Sequence, residues 1–149
     1  MRARMESESM EIRPFEERDE PAVIALWEAV FPADRPWNDP AEIIRRKRAI
    51  QRELFFVAAL DSDVVGTAFG GYDGNRGWVY HVAVGPGHRR LGIGSALVRR
   101  VEDALRAAGC PKVNLQVHAT NAGVVAFYEQ LGYRVEERIS MGKPLVPGP

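Results

Sequence analysis

One cysteine, three histidines and no net charge mark this 149-residue chain, and each shortage removes a class of function. Cys110 alone gives neither a disulfide framework nor a cysteine metal site, and its place between a helix and a strand suits packing rather than reactivity. His81, His88 and His118 lack ligand spacing, so no metal centre is expected. Twenty basic and twenty acidic residues cancel, so no global field draws the chain to nucleic acid or a membrane surface. The clustered bases Arg45-Arg46-Lys47-Arg48 and Arg99-Arg100 read most simply as solvated helix faces. The longest apolar run, residues 54–60, is seven long, far below a membrane span. Residues 1–9 are charged and lack the apolar core of a secretory signal. They read as a disordered lead, residues 10–143 as one domain and 144–149 as a tail, with the cytoplasm as the expected location.

Glycine, by contrast, is concentrated where it matters. The stretch His81-Val82-Ala83-Val84-Gly85-Pro86-Gly87-His88-Arg89-Arg90-Leu91-Gly92-Ile93-Gly94-Ser95-Ala96-Leu97 reads as a strand, a turn, a glycine loop and the start of an amphipathic helix. Such a loop aims several backbone N–H groups at one spot, where the helix dipole also favours an anion. A Walker A loop has the right Gly87–Gly92 separation, but Ile93 and Gly94 stand where lysine and a hydroxyl must be. A dinucleotide fingerprint fits Gly92 and Gly94, but Leu97 replaces the third small residue and no acid follows the next strand. Both nucleotide readings are weak.

Local signals give the order of elements. A first strand spans residues 11–15, and Asp19 with Pro21 opens a helix carrying Val23, Leu26, Trp27 and Val30 on one face. Asp39-Pro40 opens a second helix through Ile50. Strands at 53–60, 64–72 and 78–84 are joined by short turns, as an antiparallel meander requires. A helix over 91–108 stops at Gly109, a strand covers 112–118, a helix over 121–131 stops at Gly132, and 133–141 is a last strand. The result is a single α/β domain of order β-α-α-β-β-β-α-β-α-β.

Arg89-Arg90-Leu91-Gly92-Ile93-Gly94 resembles the Arg/Gln-x-x-Gly-x-Gly/Ala motif of the GCN5-related N-acetyltransferases (GNAT), whose loop cradles the pyrophosphate of acetyl-CoA. Asn121-x6-Tyr128-x2-Leu131-Gly132-Tyr133 resembles the second signature of that family. The element order is also the family's, so the resemblance spans nearly the whole chain. It implies a mostly antiparallel, twisted sheet of about six or seven strands flanked by four helices. It implies acetyl transfer from the CoA thioester to a primary amine in a ternary complex. The cofactor would lie on Val82, Ala83 and Val84, then Arg89, Arg90, Leu91, Gly92, Ile93, Gly94 and Ser95, with Asn121 and Tyr128 from the later helix. Tyr128 would protonate the departing thiolate. Asn121 and Tyr128 also have structural readings, as an N-cap and a half-buried aromatic.

The general base stays open among water, Tyr80, His81 and Asp73. Trp78 and Tyr80 occupy the positions where relatives carry a base, and His81 is one residue out of phase unless a bulge turns it. For the acceptor, Arg35-Pro36-Trp37-Asn38-Asp39-Pro40 and Gly70-Gly71-Tyr72-Asp73-Gly74-Asn75-Arg76-Gly77 resemble segments of one bacterial GNAT subgroup, which names no substrate. Asp39 or Asp73 could hold an ammonium, Trp37 or Trp78 an apolar or cation–π wall, and Arg35 or Arg76 a carboxylate; Tyr72 and Tyr80 complete the candidates. A small amino compound is the favoured acceptor. A protein N-terminus or lysine, a non-catalytic acyl-CoA-binding module and a homodimer are the alternatives carried forward.

Overall fold

The computed structural model describes residues 9–31 and 36–147. All of the expected lead but Ser9 therefore lies outside the described residues, as does Arg35. Ser9 itself is tied down, its N–H donating to Asp61 Oδ1 at 3.1 Å.

Strands β1 (Met10–Pro14), β2 (Phe55–Leu60), β3 (Asp63–Tyr72), β4 (Gly77–Val84) and β5 (Val113–Asn114) lie side by side in that order. The first four pair antiparallel, and β5 joins β4 in parallel. Helices α1 (Glu20–Val30) and α2 (Pro40–Ala49) cover one face, and α3 (Ile93–Ala107) covers the other. The strand alternation explains both cores. Phe55, Val57, Phe69 and Ala83 meet Val23, Leu26, Trp27 and Ile44 of α1 and α2. Leu54, Phe56, Ala58, Ala68 and Val79 meet Ile93, Leu97, Val101 and Leu105 of α3. Helix α4 (Ala122–Gln130) follows β5.

The helix boundaries follow their punctuation. Asp39 caps α2 by accepting from Glu42 N at 3.2 Å, and Gly109 ends α3 with φ +86°. Gly132 ends α4 with φ +97°, and Tyr133 N–H reaches back to Tyr128 O at 3.1 Å. Asp19 departs from expectation. Its carboxylate caps nothing in α1 and instead takes two hydrogen bonds from Arg13, at 2.7 and 2.9 Å, and one from Glu16 N at 2.8 Å. A guanidinium fork offers a buried carboxylate more than the helix amides do. Arg13 and the backbone amide hold it below the usual carboxylate range against the opposing pull of burial, the largest single influence.

The expected six or seven strands reduce to five among the described residues. The strand expected over 112–118 is a ladder of two residues, and the one expected over 133–141 is irregular. The two segments still lie alongside each other. Lys112 pairs with Glu136, Asn114 Nδ2 donates to Glu136 Oε1 at 2.9 Å, and Gln116 Nε2 donates to Ser140 Oγ at 2.7 Å. Residue 112 faces 136 and 116 faces 140, so both run the same way, as a strand–helix–strand crossover would set them. The missing ladder has a physical reason. The apolar set of the last segment, Val135, Ile139 and Met141, is 75%, 90% and 89% exposed. Pairing would bury nothing for those residues, and burial is what fixes a strand's register.

Candidate active site

The β3–β4 ladder slips in its middle. Thr67 faces Ala83 and Phe69 faces Tyr80, so β4 carries one residue more than β3 between those pairs. His81 absorbs the slip with φ +54°, a left-handed conformation that only over-determined side chains keep. The bulge anticipated at this point is present, and it corrects the phase of His81. The imidazole turns into the α1 side of the sheet, stacked on Phe69 at 4.8 Å between centroids. Trp27 at 4.9 Å and Phe31 at 5.6 Å meet it edge-on. Burial first, then the charge of Arg46, lowers its pKa to about 4.

The free edge of β4 is the second element. β5 pairs with β4 only at Gly77↔Val113 and Trp78↔Asn114, and from Val79 to Val84 no strand accompanies it on that side. A slot therefore opens between the bulged strand and the chain after Asn114.

At the end of that strand lies the glycine loop. Gly92 is the N-cap of α3, with φ +79° and nothing within 4 Å of where a Cβ would stand. The first bond of the helix runs from Ala96 N to Gly92 O at 3.0 Å. The amides of Ile93, Gly94 and Ser95 thus have no acceptor within the helix and no side-chain cap, and they converge on open space. Arg90 shares the loop's left-handed geometry with φ +67°, and Arg89 Nε reaches Val84 O at 3.3 Å. Gly94 has a different reason to be glycine, since a Cβ there would stand 3.4 Å from Phe127 of α4. Among the cofactor candidates, the side chains of Ala83 and Ile93 are buried in the core, and Leu91 is exposed.

Asn121 is the N-cap of α4, accepting from Val124 N at 3.2 Å. Tyr128 stands on the same helix, edge-on to Phe127 at 4.9 Å and Tyr133 at 5.6 Å. It lines a cavity of about 1400 Å³ with Trp78, Leu115, Val117 and His118. Burial pushes its phenol up to about 12, so it keeps its proton at neutral pH. Tyr133 donates to Glu102 Oε2 at 2.6 Å and is raised further, by burial and that carboxylate.

The acceptor candidates divide into two groups. Trp78 and Tyr80 are exposed on β4 and alternate with the buried Val79. Trp37 is held through its carbonyl, which accepts from Arg46 at 2.9 Å. The second group closes the β3–β4 hairpin. Asp73 Oδ1 accepts from Asn75 N and Arg76 N, both at 2.8 Å, and those amides hold its pKa down. Tyr72 is gripped by Gln51 through its backbone N and O. This turn, with Arg76, lies about 15 Å along the strand from the bulge at ~3.3 Å per residue. Asp39 is occupied as a cap.

Sequence reasoning missed Lys47. Read as part of a solvated face, it is only 7% exposed. It donates to Gly70 O at 2.5 Å and lies 5.4 Å from the Phe69 ring centre and 5.9 Å from that of Tyr80. Burial lowers its pKa to about 8. The available signal was its spacing of three from the buried Ile44 on one helix. Arg100 is likewise no free charge, since its guanidinium covers the Phe56 ring at 4.8 Å. Cys110 is packed as expected, its Sγ filling the space a Cβ on Gly77 would need.

Known proteins are similar to this chain in sequence and in fold. The model of the acetyltransferase (GNAT) family matches residues 20–133. The chain is 45% identical to an acetyltransferase of Pectobacterium atrosepticum over 137 residues, covering 92% of this chain and 96% of that protein. Among solved structures, Ard1 from Thermoplasma volcanium superposes with a TM-score of 0.77 at 26% identity, over 85% of this chain and 84% of that one. PaiA N-acetyltransferase from Thermoplasma acidophilum, solved in complex with coenzyme A, gives 0.76 at 21% identity, over 88% and 93%. That last likeness is one of fold.

Proposed function

The chain belongs to the acetyltransferase (GNAT) family, and from that premise we propose that it moves an acetyl group from acetyl-CoA to the primary amine of a small compound. One observation carries the reading. The free edge of β4, with its bulge at His81, leads through the loop of residues 85–92 to a helix start whose first amides lack acceptors within the helix. The loop fits a pyrophosphate, since Gly92 leaves open space where a side chain would obstruct it. The free edge of β4 fits an extended arm with amide groups, which would pair with it as a strand does. Coenzyme A has both parts, and it is what the PaiA structure holds.

The acceptor amine, in its neutral form, attacks the thioester carbonyl, and negative charge grows on the carbonyl oxygen. Backbone N–H groups at the bulge, around Val82, would stabilise that charge. The carbon–sulfur bond then breaks, and Tyr128, protonated because its pKa stands near 12, gives its proton to the thiolate. A base must collect the proton that the amine loses. His81, with a pKa near 4, is a weak one. Asp73 is engaged by two amides and lies far along the hairpin. Burial raises Tyr80, so it holds its own proton. Ordered water in the slot is the base this leaves. The acceptor wall is aromatic rather than acidic: Trp78 and Tyr80 are exposed there, and an ammonium can lie against either ring before it loses its proton.

Calorimetry with acetyl-CoA tests the reading, with wild type beside Gly92→Asp and folding checked by circular dichroism. Aspartate tolerates the left-handed φ and places a carboxylate where the phosphates would sit. Micromolar binding by wild type and a loss of about a hundredfold or more in the folded variant is the expected result. A folded wild type with no affinity for acetyl-CoA would sink the proposal.

A further inference from the structure

Trp27 and Thr67 lie in the core, yet both carry polar atoms that the core does not need. Trp27 is 2% exposed and Thr67 is fully buried. The indole Nε1–H donates to Thr67 Oγ1 at 2.9 Å, and Thr67 Oγ1 contacts His81 O at 3.0 Å. The proton order is forced. An indole N–H can only donate and a carbonyl can only accept, so the hydroxyl accepts from Trp27 and donates to His81. The relay ends on the one residue of β4 with a left-handed backbone, at the register slip.

That carbonyl matters for what lies across its peptide. The described peptides are all trans, so His81 C=O and Val82 N–H point in opposite directions within one rigid plane. Holding the oxygen on Thr67 directs the Val82 N–H away from β3. On that side β4 has no strand partner beyond Trp78. Trp27 acts on the same residue twice, since its ring also meets the His81 imidazole edge-on at 4.9 Å. Both handles of His81 are therefore fixed by this pair, the ring by Trp27 directly and the carbonyl through Thr67 of β3.

We propose that Trp27 and Thr67 are positioning residues, whose relay to the His81 carbonyl fixes the bulge and aims the Val82 N–H at the acyl group of the bound thioester. The inference rests on the acetyl-CoA reading above. A valine at 67 would keep the shape of threonine and remove the relay, while serine would keep the hydroxyl. Phenylalanine at 27 would keep a ring against His81 and remove only the first donor.

Calorimetry on Thr67→Val, Thr67→Ser and Trp27→Phe separates the outcomes, with two probes. One is acetyl-CoA. The other is adenosine 3′-phosphate 5′-diphosphate, the same molecule cut off before its pantetheine arm, which can reach only the glycine loop. Thr67→Val is expected to bind acetyl-CoA about tenfold more weakly and the fragment unchanged. Thr67→Ser is expected to stay within about twofold of wild type for both, and Trp27→Phe to fall between. If Thr67→Val does not fold, Trp27→Phe carries the same comparison. Equal acetyl-CoA affinity in folded wild type and Thr67→Val would overturn the relay alone, as would an equal loss for both probes. A wild type that binds the fragment and not acetyl-CoA, or neither, would remove the acetyl-CoA reading and the relay with it.

Discussion

The slot has two walls built in opposite ways. On one side, β4 is paired with β3 from Tyr72↔Gly77 to Gly66↔Val84, and helices pack on both faces of the sheet behind it. On the other side, β5 contributes two paired residues, and the chain from 115 to 141 is held by helix α4 and side-chain bridges. The difference has a functional sense. A strained residue such as His81 persists only where its surroundings over-determine it, so the bulge belongs on the rigid wall. The opposite wall carries Asn121 and Tyr128 on a helix with few deep contacts. A ligand that fills the slot would complete what that wall lacks.

The contrast breaks first if the walls prove equally stable. Truncating Phe55→Ala, in the fully buried stack with Phe15 at 4.2 Å between ring centres, should cost about 3–5 kcal/mol. Ile139→Ala, at a side chain 90% exposed, should cost less than about 0.5 kcal/mol. Urea unfolding of the two variants beside wild type measures both. Comparable losses would mean that a second chain covers residues 133–141 in the working protein.

Tyr128 sharpens the comparison next, because it is a chemical group on the looser wall. Removing its hydroxyl in Tyr128→Phe should lower turnover by about a hundredfold or more while leaving acetyl-CoA affinity within about twofold. The fragile wall would then supply chemistry rather than binding. An equal fall in affinity would make Tyr128 part of the cofactor's seat instead.

These expectations were unequally legible in the sequence. The meander and α3 could be read because each carries its own punctuation: Asp61-Ser62-Asp63, the Asp73–Gly77 turn, and Gly109. The bulge at His81 was legible only as a condition, since alternation put the histidine on the wrong face and a slip was needed to turn it. The strand at 133–141 was misread because apolar alternation signals a strand only where something covers its apolar side. Lys47 was misread because a run of four bases masks the one that follows Ile44 on the buried face. The Trp27–Thr67–His81 relay was hidden altogether. Its members are 40 and 14 positions apart, and only the packing of α1 on the sheet brings them together.

The smallest predicted effect concerns protons, and it too divides the walls. Burial among Phe69, Trp27 and Phe31 lowers the His81 pKa to about 4 in the fold, against an ordinary 6.5 in an unfolded chain. Between those values the unfolded chain binds a proton that the folded one refuses. Stability therefore falls as pH drops from about 6.5 toward 4, and this contribution is flat above and below that window. The loss should be about 2 kcal/mol by pH 5. His81→Asn, which accepts a left-handed backbone and does not titrate there, should remove that slope. Thermal unfolding of the two proteins from pH 7.5 to 4.5 decides it. Parallel curves would mean that His81 reaches solvent, in which case it is neither clamped by the rigid wall nor too weak to act as a base.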